Sequence, residues 1–198
     1  MNNPFRLGGL FILVATLTLP LQAQRPGVIR FGTKVPADVK RIYERGLNYL
    51  AQNQNETGNW GGTQSSSHQN GITSLCILAL LANGEDPNHG RYQLQVRRAV
   101  RMLLTAQDAN TGYLGSSMYN HGFSMLALSE VYGAVDDAVL WSNVDPEKRG
   151  RSIGEGLELA VRCALTSQDK NPYGAWRYSP EARDADTSVA GAVLVGVL

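Results

Sequence analysis

Residues 45–60 read Arg-Gly-Leu-Asn-Tyr-Leu-Ala-Gln-Asn-Gln-Asn-Glu-Thr-Gly-Asn-Trp. This sequence gives the strongest indication of the fold. Its first half continues an amphipathic pattern whose apolar residues recur at spacings of three and four: Val39, Ile42, Tyr43, Leu47 and Leu50. Such spacing is typical of a helix that buries one stripe. Its second half is polar and is punctuated by Gly58 and Trp60, which predicts that the helix ends in a turn.

The same combination of helix and turn recurs twice more. The glutamines at 54, 107 and 168 are separated by 53 and then 61 residues, and a glycine follows each of them at 58, 112 and 174. Striped segments precede the second and third turns at 96–103 and 153–164, whereas segments 75–82, 123–128 and 189–198 are apolar nearly all round. The order predicts three hairpins, each with an outer, half-exposed helix and an inner helix that is buried on most sides.

Each residue that recurs in the turns has a predicted physical role within the repeat. The glycine permits a sharp reversal of the chain. The glutamine can satisfy backbone groups at a neighbouring helix end. The tryptophan, present at 60 and 176, is predicted to stack over that same end and to staple successive hairpins together.

Residues 45–60 match every defined position of the QW repeat of squalene and oxidosqualene cyclases. The second copy has Met102 for the aromatic residue and Leu114 for the tryptophan. The third copy lacks the basic and aromatic positions of the motif. The positions that the later copies keep include Gln107, Gly112, Gln168, Gly174 and Trp176. Residues 36–198 therefore resemble the terpenoid-cyclase and protein-prenyltransferase α/α-toroid superfamily. The resemblance implies an all-α fold in which helical hairpins close into a barrel, with the inner helices lining a central cavity.

Three hairpins are fewer than the five to seven that the resemblance implies for a closed ring. A partial ring would expose the flanks of its inner helices, and the apolar segment 193–198 carries no polar cap. We expect either a fragment of a longer chain or a half-ring that pairs with a second copy.

The third inner segment opens with an acidic cluster, Asp184-Ala-Asp186-Thr. In the cyclases that the chain resembles, an Asp-x-Asp-Asp-Thr stretch at this place carries the acid that protonates an alkene, and Asp186 matches that acid, with Asp184 beside it. In that alignment, which counts from the first aspartate, Thr187 replaces the last aspartate; aligning the threonine instead places Ala185 at the position of the acid. Capping of the helix is the second interpretation, since Asp and Thr accept backbone N–H bonds there. A polar role at a cavity mouth is the third.

All three inner segments open with polar residues, which predicts a common rim where a cavity would have its mouth. Aromatic side chains near that rim could stabilise a cation through their π faces. Ordinary helix caps and core packing explain the same residues equally simply. The predicted ligand-binding rim comprises His68, Asn70, Tyr119, His121, Phe123 and Tyr178.

No metal or cofactor is predicted. Protein prenyltransferases hold zinc with an Asp-x-Cys pair, whereas Cys76 and Cys163 are preceded two positions earlier by Ser74 and Val161. Three histidines at scattered spacings do not form a zinc framework. Both cysteines lie in apolar helical stripes, which predicts buried free thiols.

Residues 1–24 predict a signal for export, followed by a linker at 25–35. Arg6 supplies the positive charge, residues 7–19 are apolar apart from glycine and threonine, and Ala23 suits the position before cleavage. A membrane anchor at 7–21 is the alternative, although about 20 apolar residues are needed to span a bilayer. The signal predicts a periplasmic or extracellular protein.

Composition narrows the function classes. The formal charge is +1 and Arg6 is lost with the signal, so the exported protein would be neutral and would lack a basic field for nucleic acid. The first functional hypothesis is a non-catalytic scaffold that binds an apolar ligand or a protein partner. The second is a cyclase- or prenyltransferase-like enzyme acting on a polyprenyl chain, with acid catalysis from Asp184 and Asp186.

Overall fold

The structure, a computed structural model, describes residues 35–61, 67–84 and 86–198. Within these ranges the chain is helical and contains no strand, which confirms the predicted all-α class. The seven helices described are α1 (Ala37–Asn53), α2 (Gln69–Leu81), α3 (Gln93–Ala106), α4 (Met118–Val131), α5 (Asp137–Leu140), α6 (Ile153–Lys170) and α7 (Thr187–Val197).

The striped segments form α1, α3 and α6. The apolar stripes of α3 and α6 are largely buried, whereas Leu47 is the buried residue of α1 and its stripe residues Val39 and Ile42 are exposed. In α3 the stripe is complete, with Val96, Ala99, Val100, Leu103 and Leu104 all buried. Helix α6 begins with a reciprocal cap: the Glu155 N–H donates to the Ser152 hydroxyl, and the Ser152 N–H donates to the Glu155 carboxylate. Such a capping box satisfies two backbone donors and fixes where the helix starts.

The segments that are apolar all round form α2, α4 and α7, which stack in that order, with α3 packed on α2 and α6 on α4. Helices α4 and α7 approach closely because glycines lie at their contact. A Cβ on Gly122 would overlap the backbone of Ala192, and a Cβ on Gly196 would meet the Gly122 carbonyl oxygen at 2.6 Å. Small residues thus set the spacing of the inner layer.

Helix α7 is more exposed than a helix without a polar face was predicted to be. Val189 and Val193 are fully buried against the inner layer, but Leu194 and Val195 keep 47% and 52% of their surface exposed. The prediction of burial on most sides is wrong for this helix, because among the described residues no element packs on its far side.

The segment between α4 and α6, residues 135–151, is partly folded. It contains α5 and a 3-10 turn, Pro146–Lys148, and it buries Leu140 and Trp141. The Trp141 indole N–H donates to the Arg151 carbonyl at 3.2 Å, which ties the segment to the start of α6. The basic stretch 148–150 is exposed.

Gln54 connects the first hairpin to the second. Its Nε2 donates to the carbonyl of Gly58 in its own turn at 2.9 Å and to the carbonyl of Gln95 in α3 at 2.8 Å. Gly58, at φ +94°, lies so close to the Arg98 carbonyl that a Cβ would overlap it. We refer to this contact of Gln54 and Gly58 with α3 as the first joint.

Gln107 makes the equivalent connection between the second hairpin and the third. Its Nε2 donates to the carbonyls of Gly112 at 2.9 Å and Gly156 at 2.8 Å. Gly112, at φ +74°, packs against the Leu159 carbonyl with no room for a Cβ. This contact of Gln107 and Gly112 with α6 is the second joint. Gln54 and Gln107 therefore each connect a hairpin to the next one, through a backbone carbonyl near the start of the next outer helix.

The indole N–H groups of Trp60 and Trp176 bond within their own hairpins. The Trp60 indole N–H donates to the Leu50 carbonyl at 2.7 Å, and that of Trp176 donates to the Ala164 carbonyl at 2.9 Å. Both carbonyls lie in the outer helix that precedes the same turn: Leu50 is in the last turn of α1, and Ala164 is six residues before the end of α6. These bonds tie each tryptophan to its own outer helix, and stacking of the rings between successive hairpins stays a prediction.

The described helices belong to a single compact unit. The predicted signal at 1–24, the alternative anchor at 7–21 and all but the last residue of the linker at 25–35 lie outside the described residues. Among the helices of the described ranges, none has the length and apolar character needed to cross a bilayer.

Candidate functional site

Asp186 caps α7. Its Oδ1 accepts the backbone N–H of Ser188 at 2.8 Å and that of Val189 at 3.2 Å. The bond from the Ser188 hydroxyl, followed by these backbone N–H bonds, lowers the pKa of the exposed Asp186 carboxyl. A lowered pKa keeps the group ionised at neutral pH, so the carboxylate acts as an acceptor here.

Asp184 lies in the loop that leads into α7. Its exposed carboxylate is 3.4 Å from the Arg177 guanidinium, and its carbonyl accepts the Asn171 side-chain N–H at 2.9 Å. No hydrogen bond joins Asp184 to Asp186 among the described residues. The two aspartates therefore do not share a proton as a paired general acid would.

Three of the predicted rim residues come together beside this cap. The rings of Tyr119 and Phe123 are nearly parallel with centroids 6.3 Å apart, and Tyr178 lies 6.0 Å from Tyr119. We refer to Tyr119, Phe123 and Tyr178 as the aromatic cluster. The Tyr119 hydroxyl donates to the Ser188 hydroxyl, and the Arg177 guanidinium lies 5.0 Å above the Tyr178 ring. The cluster thus offers partly exposed rings next to charged groups.

His121, also predicted for the rim, is fully buried in the protein interior. Its Nδ1 accepts the Leu114 N–H at 3.0 Å, and its Nε2 lies 3.0 Å from the Ala160 carbonyl. Burial lowers the pKa of His121 to about 4, partly opposed by the bond to Ala160. A neutral ring that donates from Nε2 satisfies both contacts, so His121 links the second turn, α4 and α6.

His68 and Asn70 lie at the start of α2. His68 is exposed at the N-cap position and makes no side-chain cap bond, whereas Asn70 is buried. Asn70 lines a cleft of about 450 Å³ together with Asp108, Tyr113 and other residues, none of which belongs to the aromatic cluster. Of the predicted rim residues, the structure thus brings Tyr119, Phe123 and Tyr178 into ring contact, places Asn70 in this cleft and buries His121.

The described residues contain no group of three metal-binding side chains. Both cysteines are free. Cys76 is buried, and burial raises the pKa of its thiol to about 11, whereas Cys163 is only half-buried. An unreactive thiol at Cys76 follows, because the thiolate is the reactive form.

Three residues near the rim were missed from the sequence. Ser188 joins the aromatic cluster to the cap, and Arg177 contacts both Tyr178 and Asp184. Asn120 donates from its side chain to the Ser67 carbonyl at 3.1 Å and so connects the starts of α2 and α4. Only Ser188 had a local signal, since serine two positions after an N-cap aspartate commonly completes a capping turn.

No protein-family model, curated protein or solved structure matches this chain. The geometry of the aromatic cluster, the Asp186 cap and the two joints is therefore the basis for assigning a function.

Proposed function

We propose that residues 36–198 form part of an α/α-toroid and that the protein is an exported, non-catalytic scaffold which binds a ligand or partner. The toroid proposal is supported by the two joints, which apply the same contact between successive hairpins. A repeated contact turns each hairpin by a similar angle relative to the last, and this is how repeat proteins generate curvature.

The aromatic cluster carries the binding proposal. Three rings at the starts of α4 and α7 are partly exposed, although apolar rings are normally covered in a monomer's core. They lie beside the ionised Asp186 and the guanidinium of Arg177. This combination suits an apolar ligand with a polar end, such as a polyprenyl alcohol, whose chain would contact the rings.

The state of Asp186 favours binding over acid catalysis. Protonation of an alkene needs a carboxyl that stays protonated and donates strongly. Asp186 is exposed, and its hydrogen bonds all go to the ionised form, which lowers its pKa. The position of Asp186 next to aromatic rings is the observation that keeps a cyclase-like activity as the second candidate.

Thermal denaturation of the full chain with farnesol and longer polyprenols tests the binding proposal. A ligand at about 100 times its dissociation constant stabilises the native state by about 2.7 kcal/mol. Tyr178→Ala should remove most of the rise in Tm. Tyr132→Ala, which removes an exposed ring away from the cluster, should leave it intact. Equal rises in both variants, or none with the unsubstituted protein, would refute the proposal.

Incubation with squalene tests the second candidate. We expect no cyclised product from the protein or from Asp186→Asn. Turnover that disappears in Asp186→Asn, while Asp184→Asn retains it, would establish Asp186 as an acid and overturn the non-catalytic proposal.

A further inference from the structure

The third turn carries the donor side of a joint but contacts no further helix. Gln168 donates from Nε2 to the Gly174 carbonyl at 2.9 Å, as Gln54 and Gln107 do within their own turns. Among the described residues its amide has no second acceptor, and the space where a Gly174 Cβ would lie is open. The Gln168 amide and the Gly174 backbone therefore make no contact with a neighbouring helix among the described residues.

Helix α1 carries the opposite, receiving side. The carbonyls that receive a glutamine in the two joints belong to Gln95 and Gly156, which are separated by the same 61 residues as the second and third glutamines. Counting back by 53 from Gln95 gives Ile42 in α1. Ile42 is 68% exposed, whereas Gly156 is buried and Gln95 half-buried.

The same spacings of 61 and 53 residues also relate the positions at which the turn glycines approach the next outer helix. Ala99 and Ala160 occupy matching positions in α3 and α6, and both are fully buried. The matching residue of α1 is Gly46, which is exposed, and open space surrounds its Cβ position. A groove of about 530 Å³ lies there, bordered by Ile42, Gly46 and Tyr49.

A side-chain contact at the second joint shows what the two open faces would bury. Leu104 is buried and lies where a Cβ on Gly156 would fall. The residue that matches Leu104 in the third hairpin is Leu165, which is 44% exposed, and the residue that matches Gly156 is Ile42. Because Ile42 carries a side chain where Gly156 has none, the end of the Leu165 side chain must shift from the position that Leu104 takes. Apposition of Leu165 with Ile42 would then remove both apolar side chains from water.

We propose that α1 of one copy of this chain binds the third turn of a second copy, head to tail. The head face consists of Val39, Ile42, Gly46 and Tyr49, and the tail face consists of Leu165, Gln168 and Gly174. A second copy is the partner that fits, because the chain already makes this contact twice within itself and, among the described residues, one face of each kind makes no such contact. The Gln168 amide of one copy donates to the Ile42 carbonyl of the other.

The inner layer supports the same direction of association. Gly122 and Met125 of α4 pack on α7, and the residues that match them by the glycine alignment of the inner helices are Gly191 and Leu194. Gly191 has open space around its Cβ position, and Leu194 is 47% exposed. The tail end of the stack thus exposes an apolar stripe beside the tail face, ready to pack on the first hairpin of the second copy. This proposal rests on contacts between hairpins and is independent of any ligand at the aromatic cluster.

Sedimentation velocity of the full chain over a concentration series tests the association. Ile42→Glu puts a charge into the head face and should weaken self-association by about 100-fold or more, because a buried unpaired carboxylate is strongly unfavourable. Leu94→Glu is the matched control, an exposed apolar residue of an outer helix at 60% exposure that lies on neither face. It should associate like the unsubstituted chain. Equal effects of both substitutions, or an unsubstituted chain that stays monomeric at its highest soluble concentration, would overturn the proposal.

Mixing two variants tests the head-to-tail direction. Ile42→Glu blocks the head face and Leu165→Glu blocks the tail face, so each variant alone should be monomeric. In a mixture, the intact tail of the first can bind the intact head of the second, and a heterodimer should form. Failure of the mixture to associate, with both variants shown to be folded by circular dichroism, would refute the head-to-tail contact. Binding of polyprenols by the monomeric variants reports separately on the aromatic cluster.

Discussion

Replacement of Gln107 by methionine should destabilise the protein more than the same replacement at either other turn glutamine. Gln107 is buried, its Nε2 donates to the carbonyls of Gly112 and Gly156, and its Oε1 accepts a guanidinium N–H of Arg151 at 2.7 Å. Methionine matches the length of glutamine and keeps its apolar stem, so the change isolates the amide. Buried groups left without partners cost about 1–3 kcal/mol each, less the apolar gain, which predicts a total loss of about 2–4 kcal/mol.

Gln168→Met is the internal control, because the half-buried Gln168 amide donates only to its own turn among the described residues. Gln168→Met should lower the free energy of unfolding by about 0.5–1 kcal/mol. Both replacements are made in the Ile42→Glu variant, at a concentration where that variant is monomeric, so that self-association does not interfere. Urea denaturation followed by circular dichroism then measures the free energy of unfolding of each protein. Thermal midpoints should fall by about 5–10 °C for Gln107→Met. If the two variants lose the same free energy of unfolding, the second joint does not stabilise the protein as described.

Two further predictions concern the second joint and its surroundings. Burial lowers the pKa of His121 to about 4, from an ordinary value of 6.5, so the folded state binds the proton less readily than the unfolded state does. The free energy of unfolding should be constant above about pH 7 and fall by about 3 kcal/mol as the pH drops from 6.5 to 4. His121→Gln should remove this fall, and the control His68→Gln, at an exposed histidine, should retain it. Gly112→Ala should cost about 3 kcal/mol or more, because φ is +74° and the Cβ overlaps Leu159, whereas Gly174→Ala, at φ +60° in open space, should cost only about 1–2 kcal/mol in urea titrations. Equal costs at the two glycines, or an unchanged pH profile in His121→Gln, would contradict these assignments.

The helices were predictable because their signals are local. The spacing of apolar residues distinguishes striped α3 from α4, which is apolar all round. Asn83-Gly84, which follows α2, is a sequence typical of the end of a helix. Gly84 does adopt a positive φ, +75°, and its N–H donates to the Leu81 carbonyl at 3.0 Å. The periodicity of a helix and the conformational freedom of glycine need only neighbouring residues.

The candidate site was only partly predictable because it depends on which residues meet. Tyr119, Phe123 and Tyr178 were chosen from their positions near inner-helix starts, and the structure brings them together. His121 was chosen by the same argument, but its ring points into the interior, where two backbone groups hold it. Sequence spacing places a residue on a helix, but it does not determine whether a turn of chain covers the side chain.

The joints explain why one side of each hairpin contact is visible in the sequence and the other is not. The donor side needs a particular side chain, a glutamine, and a glycine whose φ is positive, so it recurs as a motif. The receiving side is a backbone carbonyl, which any residue supplies, and the two helices use Gln95 and Gly156 there. Because side-chain identity is free at the receiving position, the corresponding face of α1 has no motif of its own. That face of α1 becomes apparent only when the positions of α1 are matched to those of α3 and α6. Ile42 is exposed, whereas the matching residues Gln95 and Gly156 are half-buried and buried.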